Sequence, residues 1–169
     1  MAAYGFKAIQ KNHYTTIVVV GASHYHAFEG ASLWPKGKFE TPLGALAVDE
    51  AFATLLMKKD ADLQYRPEVF TPEHSLEVQL PFIQKDFPDA KIVPIVMGNP
   101  DPGVCRKLAE ALNNVVGKRE DVLVVVSTDL SHYHTYVAAQ EMDKYATDAM
   151  LAGDVESIWN ENMSRVKME

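Results

Sequence analysis

The sequence predicts an α/β fold, a mostly parallel sheet flanked by helices, and three observations carry that prediction. Ile17–Val20, Ile92–Met97 and Val122–Val126 are apolar runs without alternation, the pattern of strands covered on both faces. Stretches of helical periodicity lie between and after them. The 169 residues, 47% of them hydrophobic, suffice for one substantial core and are short for two, so residues 1–169 read as a single domain.

In chain order, Ile17–Val20 runs into Gly21-Ala22-Ser23-His24-Tyr25-His26, where the glycine ends the strand pattern. Trp34 to Gly44 holds two prolines and two glycines, which predicts a loop or short hairpin and a candidate cleft wall. Val48, Phe52 and Leu55 fall on one helical stripe. For Thr71 to Phe82 two helix starts fit. Thr71 caps with Pro72 in the first turn, or Ser75 caps and leaves Glu73-His74 in the preceding loop. The later start is preferred, because it moves Pro81 toward the tolerated end and frees His74, with Leu76, Leu80 and Ile83 facing the sheet. Asn99-Pro100-Asp101-Pro102-Gly103 punctuates the chain before a stripe of Val104, Leu108, Ala111 and Val115. Ala138, Met142, Tyr145 and Ala149 form a last stripe, which Gly153 stops.

Composition excludes several classes of function. Sixteen basic against 23 acidic side chains leave a net charge of -7 with no large basic run, which argues against a nucleic-acid partner. No apolar run approaches the ~20 residues that span a bilayer, and the first residues lack a secretory pattern. One cysteine, Cys105, permits no internal disulfide and suits a reducing compartment. A soluble, cytoplasmic protein is expected. His-Glu-x-x-His spacing and a phosphate-binding glycine fingerprint are both absent. Arg106 could lower the Cys105 thiol pKa, but a bland surface cysteine is the preferred reading.

Open α/β sheets bind ligands beyond the carboxyl ends of their strands. Two such ends carry the pattern Ser-His-Tyr-His, at Ser23–His26 and at Ser131–His134. If their strands are neighbours, His24 and His132 can face one cleft. Imidazole suits Fe(II), Cu(II) or Zn(II) and also moves protons near neutrality. His24 is the candidate ligand, and His26 is a weaker one because the glycine interrupts the strand. Asp129 is read as orienting His132, as an acid, base or ligand itself, or as capping a helix together with Ser131. His74 is a candidate proton shuttle with Glu73 neutralising it, or both satisfy a buried turn. Trp34 and Phe39 form either an apolar wall for a ring-shaped ligand or part of the core. A nucleophilic Ser23 or Ser131 is disfavoured by the absence of a nucleophile elbow.

Four segments now converge on one resemblance. They are Gly21-Ala22-Ser23-His24, Thr41-Pro42-Leu43-Gly44 with Val48-Asp49, Glu73-His74-Ser75-Leu76-Glu77-Val78-Gln79-Leu80-Pro81-Phe82, and Ser127-Thr128-Asp129-Leu130-Ser131-His132-Tyr133. From about residue 17 to residue 136 the chain resembles Memo-like proteins, also called AmmeMemoRadiSam system protein B. That family is similar to class III extradiol ring-cleaving dioxygenases, whose iron sits on two histidines and a glutamate while another histidine assists as acid or base. The resemblance implies a metal pocket of three ligands: an early Pro-His-Ala-Gly histidine, the histidine of the Gly-x-Ser-His turn and a late cysteine. The second maps to His24, and Asp129, His132 and His74 map to other cleft residues of the family. No Pro-His-Ala-Gly precedes residue 17, and Cys105 lies elsewhere than the late cysteine. The resemblance also implies a chain without the first strand and the final strands of that domain. Exposed sheet edge and apolar surface would follow, and with them a homo-oligomer or a loss of order at the ends.

Two functions are therefore expected. The first is a non-haem metal-binding or redox protein acting on a small molecule or a protein partner. It has iron(II), copper or zinc as cofactor, or none because expected ligands are missing; His24 is the ligand, and His132 and Asp129 are the proton-transfer pair. The alternative is a noncatalytic module that binds a peptide, metabolite or protein in the same cleft, lined by Ser23, His26, Glu73 and Trp34.

Overall fold

The computed structural model describes residues 2–99 and 101–166. It divides into two compact units, Met1–Thr128 and Asp129–Glu169. The first unit opens with α1 (Ala2–Ile9), followed by β1 (Thr16–Ala22), β2 (Ala31–Leu33), a hairpin of β3 (Lys38–Thr41) and β4 (Gly44–Ala47), and α2 (Glu50–Lys59). Then come β5 (Leu63–Gln64), α3 (Leu80–Asp86), β6 (Lys91–Met97), α4 (Pro102–Val116) and β7 (Val122–Val126).

Five strands form one sheet in the order β5-β2-β6-β1-β7. The three strands legible as apolar runs form its centre and one edge, with β1 parallel to both β6 and β7. The sheet is mixed, because β2 runs antiparallel to β6 while β5 runs parallel to β2. Pro94 sits inside β6, where a missing donor would ordinarily break a ladder. Its carbonyl accepts the Trp34 N–H at 3.1 Å just where β2 ends, so the missing N–H falls at the end of that pairing.

Alternation along the strands separates two apolar layers. Ile17, Val19, Ile92 and Val96 pack with Phe6 of α1 and with Leu76, Leu80, Ile83 and Phe87 around α3. Val18, Val20, Val93 and Ile95 pack with Phe52, Ala53 and Leu56 of α2 and with Leu108 and Ala111 of α4. The expected coverage of both faces thus holds for β1 and β6. On β7 it fails: Leu123 and Val125 pack against the α1–α3 layer, whereas Val124 and Val126 are 42% and 67% exposed.

Helix positions refine the sequence reading. On α2 the buried residues are Phe52, Ala53 and Leu56, and Leu55 is exposed, so the stripe is rotated by one position from the one expected. Asp49 caps α2 by accepting the Phe52 N–H at 3.1 Å, and its other oxygen accepts the Thr16 hydroxyl at 2.7 Å. The α3 helix begins at Leu80, after a short 3₁₀ turn at Glu77–Gln79, later than either expected start. Pro81 therefore lies in its first turn, where the absent N–H costs nothing. Asp101 caps α4 through the Val104 N–H at 2.9 Å, while Pro100 of the expected connection lies outside the described residues.

The second unit contains α5 (Tyr136–Ala152) and α6 (Val155–Val166). Gly153, at φ 68°, ends α5 in the left-handed conformation that favours glycine. The expected loss of order at the chain ends concerns in part Met1 and residues 167–169, which lie outside the described residues. No helix among the described residues is long and apolar enough to cross a membrane.

Candidate metal centre

The loop leaving β1 meets the turn before α3. Gly21 makes this approach possible, since a Cβ there would fall on the Ser75 hydroxyl and lie 2.8 Å from Ser75 Cβ. Ser75 Oγ instead donates to the Ala22 carbonyl at 2.9 Å, tying the turn to the end of the strand.

That tie places Glu73 beneath His24. The Glu73 side chain is only 2% exposed and accepts three backbone N–H groups. Its Oε2 takes the His24 backbone N–H at 2.7 Å. Its Oε1 takes the His74 and Ser75 backbone N–H groups at 2.9 and 2.8 Å and meets His24 Nδ1 at 2.8 Å. Burial alone would raise the Glu73 pKa. The hydrogen bonds from His24 and Ser75 outweigh it and hold the pKa down at about 2, so this carboxylate is ionised at neutral pH.

His74 reaches the same place from the other side. Its ring stacks on His24 at 4.6 Å between centroids, and Tyr25 meets it edge-on at 5.9 Å. His74 Nδ1 lies 3.8 Å from Glu73 Oε1, outside hydrogen-bonding distance. Glu73, expected to serve His74, thus engages the His24 ring more closely.

His24, Glu73 and His74 form a group that could hold a metal ion, with ligand atoms all within 4.8 Å of one another. Two imidazoles backed by a carboxylate suit divalent first-row metals. Ligands bound at ~2.1 Å stand at most ~4.2 Å apart, so any wider pair must close on an ion by side-chain movement. The half-exposed imidazoles can supply it. The residues fit a divalent ion, although the set shares only His24 with the pocket that the resemblance implies. Cys105 lies on α4 outside this cluster, and partial burial together with the Asp101 carboxylate pushes its thiol pKa up.

The remaining candidates of the first unit lie outside this cluster. Ser23 Oγ donates to the His26 carbonyl at 2.8 Å, a turn contact, and His26 is exposed. Trp34 packs edge-on against Phe39, Tyr65 and Phe70 at 5.3–5.6 Å. Together with Lys38, Glu40 and Thr71, Trp34, Phe39 and Phe70 line a cavity of about 380 Å³. Asp129 and His132 belong to the second unit, where His132 Nε2 and Asp129 Oδ2 lie 3.4 Å apart. Neither Asp129 nor Ser131 caps a helix near His132: α5 starts at Tyr136 with Thr135 as its cap, and the Ser131 N–H donates to Asp143 at 2.9 Å. Tyr133 between the two histidines takes φ 59°, a left-handed conformation uncommon outside glycine.

Sequence reasoning missed the bond between the His24 ring and Glu73, which joins residues 49 apart. Gly21, which in the sequence marks only the end of a strand, is the one signal for it.

The profile of the family described as "Memo-like protein" matches residues 1–167. The chain is 38% identical over 143 residues to a MEMO1 family protein of Caldivirga maquilingensis, covering 84% of this chain and 51% of that protein. It is 35% identical over 154 residues to one from Thermotoga petrophila, covering 89% and 54%, and 34% identical over 148 residues to one from Sulfurisphaera tokodaii, covering 86% and 52%. The chain spans about half the length of these curated relatives. With nearly its whole length matched by the family profile, the chain belongs to the Memo-like protein family.

Proposed function

We propose that this chain is a metal-binding protein of the Memo-like family, related to the extradiol dioxygenases, with its ion held at the loop ends around His24. The observation that carries the reading is the convergence of His24, His74 and an ionised, buried Glu73. The His24 and His74 imidazoles would hold the ion, with the Glu73 carboxylate supplying negative charge behind them. When bound, iron(II), or copper or zinc in its place, supplies Lewis acidity, and the first two supply redox capacity toward a small molecule. Tyr25 supports the outer face of the His74 ring. In the second unit, the approach of Asp129 Oδ2 to His132 Nε2 supports a proton-transfer role for this pair. Exposed Val124 and Val126 on β7 support assembly into a homo-oligomer, and the single cysteine agrees with a cytoplasmic setting.

Elemental analysis of untagged protein tests the reading. Iron, copper or zinc should approach one equivalent and fall at least tenfold in His24→Ala. Only trace metal in both samples would overturn it.

A second reading rests on the cavity beside Trp34, whose aromatic walls suit an apolar side chain or a flat metabolite. Here the chain binds without catalysis. Ligand binding that survives His24→Ala and His132→Ala and fails in Trp34→Ala would favour it.

A further inference from the structure

We infer that Glu73 is a positioning residue: it holds the His24 ring as the Nδ1–H tautomer, so that Nε2 keeps its lone pair and is the nitrogen presented to a ligand. The neighbours of the carboxylate require this assignment. Three backbone N–H groups, of His24, His74 and Ser75, point at its two oxygens, and backbone amides only donate. Glu73 is therefore an acceptor on every side. A bare Nδ1 lone pair 2.8 Å from Oε1 would face another lone pair, whereas a protonated Nδ1 makes a charge-assisted hydrogen bond. A neutral imidazole carries one ring proton, so fixing it on Nδ1 leaves Nε2 bare.

The same contacts argue against Glu73 as a direct ligand. Oε1 already receives three donors, Oε2 receives a fourth, and the side chain is 2% exposed. Binding an ion through Oε1 would break the bonds that hold the turn. A carboxylate that grips the far nitrogen of a ligating histidine sets the ring's orientation and raises its basicity. His74 receives no such constraint, since its Nδ1 stands 3.8 Å from the carboxylate. The two histidines are thus unequal: Glu73 presets the His24 ring, and His74 is held only by its ring contacts with His24 and Tyr25.

The tautomer does not depend on the metal-binding reading; only the use made of Nε2 rests on it. Long-range ¹H–¹⁵N correlation spectra of the full, metal-free chain at pH 8 read ring protonation directly, with His24→Ala assigning the signals. The inference expects a protonated Nδ1 and a pyridine-like Nε2 at His24. On adding zinc, Nε2 should shift while Nδ1 keeps its proton. Glu73→Ala should return His24 toward a mixed tautomer and weaken zinc binding about 10- to 100-fold. A wild-type His24 protonated on Nε2, or one that loses the Nδ1 proton to zinc, would overturn the inference even if Glu73→Ala does not fold. The expected tautomer with no response to zinc would uphold the positioning role and count against the metal centre.

Discussion

Replacing Glu73 by glutamine tests how much of the first unit's stability resides in this buried carboxylate. Glutamine keeps the length of the side chain but offers one acceptor oxygen where the native group offers two. If its oxygen takes the Oε1 place, its NH₂ faces the His24 backbone N–H, a donor against a donor. Hydrogen bonds to a charged group contribute about 1.5–3 kcal/mol, and a buried donor without a partner costs about 1–3 kcal/mol. A second route gives a similar figure. Lowering the pKa from 4.5 to about 2 corresponds to about 3 kcal/mol in favour of the ionised folded state, or about 2 kcal/mol after allowing for solvent screening at the exposed histidines. Because the folded-state pKa is depressed, this stability is fully present above the unfolded pKa and disappears as pH falls through about 2. Urea unfolding of metal-free protein, followed by Trp34 emission in a Trp159→Phe background, should show Glu73→Gln less stable by about 2 kcal/mol at pH 7. The gap should narrow between about pH 5 and pH 2. A gap below about 0.5 kcal/mol at pH 7, or one unchanged by acid, would refute the reasoning.

Three further outcomes are expected. Gly21→Ala should lower stability by about 1–3 kcal/mol in thermal melts, because its Cβ lands on Ser75, whereas Gly5→Ala meets nothing within 4 Å and should be neutral or stabilising. Asp49→Ala removes the α2 cap and the acceptor for the Thr16 hydroxyl, and should cost about 1–2 kcal/mol in urea titrations. Val126→Lys places a charge on the exposed face of β7 and should shift light scattering from an oligomer toward a monomer; an unchanged mass would remove β7 as the contact.

What the sequence reveals of this protein follows from how each signal is generated. The runs at β1 and β6 are legible because a strand buried on both sides must be apolar at every position. The run at β7 has the same composition, yet Val124 and Val126 stay exposed on one of its faces, so an apolar run reports the demand for burial and not whether a neighbour supplies it. β2 and β5, of three and two residues, carry no periodicity at all; β2 forms because β6 offers an edge on which to pair, and β5 pairs in turn with β2. α1 was not anticipated, since it buries a single side chain, Phe6, stacked on Phe82 at 5.3 Å.

The site divides along the same line. The repeated Ser-His-Tyr-His marks two strand ends, and β1 and β7 are indeed parallel neighbours. Repetition could not distinguish His24 from His132, because the difference lies in a partner distant in sequence. At His24 the partner is Glu73, brought close only because position 21 has no side chain to hold the turn away. At His132 it is Asp129, three residues before it, 3.4 Å away with both side chains exposed. A buried carboxylate already receiving backbone N–H groups fixes an imidazole, whereas an exposed one at that distance competes with water. The chemistry that distinguishes these two histidines therefore resides less in the motif they share than in a glycine that lets a loop settle onto the end of a strand.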